Sequence, residues 1–183
     1  MKSEQSFTLR KAVLDDCGSI EALIARSARG LSTADYTPAQ IEGALQGAFG
    51  LDTQLIEDGT YFVAEAGGEI VGCGGWSRRK TLFGSDKRDK RDPGELNPGA
   101  DPAKIRAFFV HPDWARHGIG RSILQRCEAE AANCGFRSLE LMATLPGVRL
   151  YAACGYAEAT HIRYILPSGI EIEFVPMTKS LDV

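Results

Sequence analysis

With 183 residues, 44% of them hydrophobic and 25% charged, the chain has the volume for one domain with its own apolar core, and a second domain is not expected. Its net charge of -3 argues against a dedicated nucleic-acid binder, which needs a basic surplus to displace counterions from phosphate. No window approaches the ~20 consecutive apolar residues of a membrane span, and the opening MKSEQSFTLRKAV lacks the apolar centre of a secretory leader; a cytoplasmic protein without membrane contact is expected.

The segment FTLRKAV (7–13) alternates loosely and reads as a first strand. Asp15 or Asp16 then caps a helix that carries Ile20, Leu23 and Ile24 on one face. In TPAQIEGALQGAF, Thr37 is the cap of a second helix, Pro38 suits its first position and Gln40 completes a capping box. Ile41, Ala44, Leu45, Ala48 and Phe49 form its apolar stripe. TYFVAEAGGEIVGCGGW reads as a hairpin, two β-rich runs around Gly67-Gly68.

Arg78 to Asp92 holds seven basic and three acidic residues, a local charge of +4 in an otherwise acidic chain. It reads as a solvated loop of mixed charge; an anion-attracting lip is the sharper alternative. The stretch from Gly84 to Ala103 is rich in proline, glycine and charge, with almost nothing apolar to bury, and is expected to be a long, poorly ordered insertion.

KIRAFFV (104–110) returns to strand. A helix follows from Gly118 to Cys134, with Ile119, Ile123, Cys127 and Ala131 on one side, then a strand, RSLELMA (137–143). A short helix from Leu145 to Cys154 takes Thr144 as its cap and Gly155 as its stop. Two final strands flank Pro167-Ser168-Gly169. The order predicts a mixed α/β sheet without internal repeats. The five cysteines (Cys17, Cys73, Cys127, Cys134, Cys154) are scattered, with no Cys-x-x-Cys pair and no histidines at zinc spacing, so reduced thiols and no metal are expected.

The informative stretch is FFVHPDWARHGIGRSIL (108–124), which sets Gly118 and Gly120 where a strand hands over to a helix. The first backbone N–H groups of a helix have no intrahelical partner, and the helix dipole adds positive charge there. Glycines let an anion reach those groups, and Arg116, His117 and Arg121 add cationic donors, so the pair suggests a pyrophosphate seat. A tight turn explains Gly-x-Gly about as well. There is no third glycine for a dinucleotide fingerprint and no Gly-Lys-Ser/Thr for a P-loop.

VHPDWARHGIGRSIL resembles motif A of the GNAT superfamily of acetyl-CoA-dependent N-acetyltransferases, and LYAACGY (150–156) resembles its motif B. The resemblance runs from Phe7 to about Leu181. It implies a mainly antiparallel twisted sheet of about seven strands with helices on both faces, splayed between the fourth and fifth strands. It implies an acetyl-CoA cosubstrate whose pantetheine arm meets the backbone of Phe108, Phe109 and Val110. Arg116, His117, Gly118, Ile119, Gly120 and Arg121 then hold the pyrophosphate, and Tyr151 protonates the departing thiolate; a phenol with an ordinary pKa near ~10 suits that task. Ala115 stands where the motif has Gln or Arg, which implies weaker binding, and Thr144 stands where many members have asparagine.

The resemblance further implies a primary amine as acceptor, on a small molecule or a protein, with Tyr36 and Trp76 as candidate walls of its pocket; both also read as core or rim aromatics. Glu65, Glu140, His111 or water remain open as the general base. A non-catalytic acyl-CoA-binding module of the same fold is the alternative to an enzyme. A homodimer is implied by the resemblance alone. Salt-sensitive nucleic-acid binding through Lys87 to Arg91 is a third, minor reading.

Overall fold

The computed structural model describes residues 6–89 and 91–181. Strand β1 (Thr8–Lys11) leads into α1 (Cys17–Leu31), α2 (Pro38–Ala44) and α3 (Thr53–Glu57). The hairpin β2 (Tyr61–Ala66) and β3 (Glu69–Ser77) follows, then β4 (Ala103–Val110), α4 (Ile119–Asn133), β5 (Ser138–Thr144) and α5 (Val148–Ala153). The chain closes with β6 (Ala157–Glu158), β7 (Ile162–Ile165) and β8 (Glu171–Ser180). The sheet runs β1-β2-β3-β4-β5-β8-β6, with β7 also on β8. Every pair is antiparallel except β4 with β5. The mixed α/β architecture expected from the sequence is the one observed; the eighth strand is the two-residue β6.

Two apolar clusters sandwich the sheet. On one face Ile20, Leu23, Ile24 and Ala28 of α1 meet Val63, Cys73 and Phe174, the helical spacing that puts one stripe against a sheet. On the other, Ile119, Ile123, Cys127 and Ala131 of α4 meet Phe62, Ala64, Leu139 and Leu141. The capping box of α2 forms as expected: Gln40 N–H donates to Thr37 Oγ1 at 3.2 Å, and Thr37 N–H to Gln40 Oε1 at 2.9 Å, a device worth about 1 kcal/mol. This helix stops at Ala44, five residues short of the expected stripe, because Gly43 and Gly47 weaken its continuation. A turn with Phe49 N–H on the Ala44 carbonyl, 2.8 Å, still buries Phe49.

Three further differences have local causes. Helix α3 has only five residues, too few for a periodic signal to stand out. Thr144 makes no side-chain cap; Leu145–Gly147 is a 3-10 turn that leads into α5. Among its described residues the 84–103 segment has no helix, and they carry polar anchors that composition conceals, among them Lys80 N–H to Gly94 O at 2.9 Å and Leu96 N–H to Arg78 O at 2.8 Å.

What positions the site is β4. It pairs with β5 at only three positions, Ala103↔Leu139, Lys104↔Glu140 and Ile105↔Leu141, after which the strands part. At the parting Ala107 is left-handed, φ 55°, and the register against β3 slips between Cys73 and Gly75. This is a bulge. It turns Arg106 and Ala107 to the α1 face and returns Phe108 to the α4 face. A non-glycine residue in this conformation costs about 1–2 kcal/mol. The bulge is held by the Tyr61 hydroxyl, which donates to the Ala107 carbonyl at 3.1 Å, beside a Cys73 thiol whose pKa burial pushes to about 12.

Candidate active site

The two glycines of the strand-to-helix junction do different work. Gly118 has φ 83° and precedes α4; a Cβ there would meet nothing within 4 Å, so its side is open. The first intrahelical bond is Ser122 N–H to Gly118 O at 2.9 Å. The N–H groups of Ile119, Gly120 and Arg121 therefore point out of the helix end without intrahelical partners. Gly120 is there for packing as well: a Cβ would lie 2.8 Å from Leu150 Cδ2, so α4 and α5 close on each other through it. Arg116, His117 and Arg121 are exposed around this end, whereas the Ile119 side chain is core. Arg116 is itself left-handed, φ 66°, and His117 Nδ1 lies 3.0 Å from the Ala115 carbonyl. The loop and helix end fit a phosphate-bearing ligand: open backbone donors, a positive dipole and exposed cations.

Between the parted strands lies a cavity of about 70 Å³. Ala107, Phe108 and Phe109 line it from β4, Met142 and Thr144 from β5, and Tyr151 from α5. Phe49, Gly50, Phe83, Gly84 and Phe174 also line it. Tyr151 is 8% exposed, packed edge-on against Phe108 at 6.2 Å and Tyr156 at 5.8 Å. Burial raises its pKa well above the ordinary phenol value, next to the Cys127 and Cys154 thiols. Among the described residues nothing hydrogen-bonds its hydroxyl. A buried phenol usually finds a partner, so this one stays protonated and free to donate.

Val110 N–H already has a partner. It donates to Ser27 Oγ of α1 at 3.2 Å, and Ser27 is buried. Sequence reading missed Ser27, a small polar residue within an otherwise ordinary helix stripe.

Tyr36 and Trp76 do not line the cavity. Tyr36 is buried, donates to the Glu173 carbonyl at 2.6 Å and accepts from Leu145 N–H at 2.9 Å, clamping the start of the α5 region to β8. Trp76 is core on the α4 side, stacked on Phe136 with its Nε1 on Glu130 at 3.2 Å. Both are the core readings of these aromatics.

The base candidates stand apart from the cavity too. Glu65 is bound by Arg10 at 2.8 Å on the β1 side. Glu140 pairs with Lys104 where β4 and β5 are still joined. His111 has N–H donors on both ring nitrogens, Asp113 N–H on Nδ1 at 3.1 Å and Arg26 Nη1 near Nε2 at 2.9 Å. A neutral imidazole offers one acceptor nitrogen, so His111 is already committed. The titratable side chains that line the cavity are Tyr151 and Arg106. Arg106 is buried against Asp52, and burial lowers its pKa to about 10, still cationic at neutral pH.

Known proteins carry the same frame. The chain matches solved structures over nearly its whole length. The GCN5-related N-acetyltransferase of Rhodopseudomonas palustris superposes with a TM-score of 0.69 at 21% identity, covering 95% of each chain. The paia N-acetyltransferase of Thermoplasma acidophilum, in complex with coenzyme A, gives 0.64 at 13% identity, over 96% of this chain and 99% of that one. yncA of Salmonella typhimurium, a putative acetyltransferase with its cofactor acetyl-CoA, gives 0.63 at 16%, over 97% and 95%. At these identities the likeness speaks to the fold. A search of curated proteins returned no match. The model of the acetyltransferase (GNAT) family matches residues 28–156, a span that contains the parted strands, the glycine junction and Tyr151 together, and by that match the chain belongs to this family.

Proposed function

We propose that the protein is an acetyl-CoA-dependent N-acetyltransferase that acetylates a primary amine by direct attack, with Tyr151 as the general acid. The observation that carries this reading is the unpartnered Tyr151 hydroxyl in the cavity between the parted strands. Acetyl-CoA, when bound, supplies the activated acyl group. The α4 end with Gly118 and Gly120 would hold its pyrophosphate, and the β4 backbone from Phe108 to Val110 its pantetheine arm, with Val110 N–H exchanging its Ser27 acceptor for the ligand. Family membership and neighbours determined with coenzyme A or acetyl-CoA support this.

Within the site, β4 contributes backbone donors fixed by the bulge, the preorganised kind that stabilises developing negative charge at a carbonyl oxygen. Tyr151 delivers a proton to the leaving sulfur. Its raised pKa keeps it protonated through neutral pH, so the donor form is fully populated. No carboxylate or imidazole lines the cavity among the described residues, and water accepts the proton lost by the amine. Calorimetric titration with acetyl-CoA, dephospho-coenzyme A and pantetheine, followed by an amine screen, tests the reading. Micromolar acetyl-CoA binding that is lost with pantetheine supports it; absence of binding refutes it.

A further inference from the structure

The cavity is lined in part by residues 82–84, the start of a strap, residues 82–89, without helix or strand. The strap is riveted to the turn between α2 and α3. Ser85 donates to the Gly47 carbonyl from both N–H and Oγ at 2.8 Å. Asp86 N–H donates to Leu51 O at 2.9 Å, and its carboxylate accepts Thr53 N–H at 3.1 Å. The hub is Asp52, 0% exposed, which accepts from Arg91 Nη2 at 2.6 Å and lies 2.7 Å from Arg106 Nη2. Arg106 also donates to the Gly84 carbonyl at 2.7 Å, and Arg91 to Asp86 at 2.9 Å. One buried carboxylate thus joins β4, the α2–α3 turn and the strap. Releasing the strap would cost Arg106 its Gly84 acceptor and Arg91 its Asp86 partner, both hydrogen bonds to charged groups and so of the stronger kind, and Phe83 adds an edge-on contact with Tyr164 at 5.2 Å.

We propose that the Asp52–Arg91–Arg106 cluster fixes the strap as a closed wall of the acyl cavity and thereby restricts the acceptor to a small-molecule amine, excluding peptide amino groups. The inference rests on the acetyltransferase reading above. A peptide acceptor brings flanking residues that each extend about 3.3–3.6 Å along the chain and need an open channel beside the reactive nitrogen. Residues 82–84 of the strap line the cavity, and its volume of about 70 Å³ leaves no room for flanking residues. Asp52 is a positioning residue: it touches neither reactant and acts through the strap.

The test assays the full-length protein with acetyl-CoA against unbranched primary alkylamines and against short peptides that carry a free N-terminus or a lysine. The expected result is kcat/KM for the best alkylamine about 100-fold or more above any peptide. In Asp52→Asn the acceptor KM rises about tenfold while acetyl-CoA affinity by calorimetry is unchanged, a split that general unfolding would not produce. Arg91→Met, which removes the Arg91–Asp86 tie between strap and hub but leaves Asp52 with Arg106, gives the same split if Asp52→Asn does not fold. Peptides acetylated as fast as amines, or an acceptor KM unmoved in the folded variant, overturn the inference alone. Transfer to no acceptor despite acetyl-CoA binding overturns the catalytic reading beneath it.

Discussion

Removing one oxygen atom separates catalysis from binding at this site. Tyr151→Phe keeps the ring that packs against Phe108 and Tyr156, and the deleted hydroxyl leaves no protein donor or acceptor without a partner. The stability change is therefore within about 0.5 kcal/mol, a shift in Tm of about 1–2 °C for a chain of this size. The acid it removes is worth about 10²- to 10⁴-fold in kcat, or about 2.7–5.4 kcal/mol of barrier. Steady-state kinetics with an accepted amine, beside calorimetric titration with acetyl-CoA, give both quantities on one preparation. The expected outcome is kcat reduced within that range with acetyl-CoA affinity unchanged. The wild-type kcat/KM should also show no alkaline fall from this group below pH ~10, because burial moves its ionisation upward from that value. A kcat within about twofold of wild type would remove Tyr151 from the mechanism. A parallel loss of acetyl-CoA affinity would make it a binding residue.

Gly118→Ala forces an alanine to φ 83°, costs about 1–2 kcal/mol of stability and should weaken coenzyme A binding while sparing pantetheine; equal losses for both ligands would contradict a phosphate seat. Ser27→Ala leaves the partly buried Val110 N–H without its acceptor, so the free protein should lose about 1 kcal/mol, with part of the Tm deficit recovered on adding acetyl-CoA; an unrecovered deficit argues that the pantetheine arm does not use this group. Asp58 accepts two bonds from Arg79 at 2.7 Å, which hold its carboxyl below the usual value. That stabilisation is complete above the unfolded pKa near ~4 and disappears as pH falls through the lower folded value. Asp58→Asn should therefore lower Tm at pH 7 and scarcely at pH 2; equal deficits would assign the effect to packing.

Much of this frame is legible in the residues. Glycines 67 and 68 adopt the positive φ their spacing demands, φ 58° and 83°, because a two-residue hairpin admits little else. The α1 and α4 stripes bury as their periods require. What the sequence conceals depends on tertiary partners. Trp76 and Tyr36 are aromatics with a polar atom, and whether that atom faces a ligand or the protein is decided by the Glu130 carboxylate and the Glu173 carbonyl, 54 and 137 residues away in the chain. The run Gly84–Ala103 has the composition of a loose insertion, yet Arg91 finds a buried carboxylate at Asp52, a partner no local pattern announces. The bulge at Ala107 is silent as well, since alanine carries no signature of a left-handed conformation.

The three pairs that join β4 to β5 have a mechanical consequence. Each strand is braced along its length by its other neighbour, β4 by β3 and β5 by β8 from Ser138↔Ser180 to Thr144↔Phe174. The cleft is thus a pair of stiff tongs riveted near Ala103 and Ile105, with Ile105, Leu139 and Leu141 as the pivot. A volume change at the pivot moves the tips by leverage, so a methyl added or removed there would alter the gap beside Tyr151 more than the same methyl at the gap itself. Substitutions that tune the aperture are then to be sought at the closed end of the strands, at residues such as Leu139 and Leu141 that do not line the cavity.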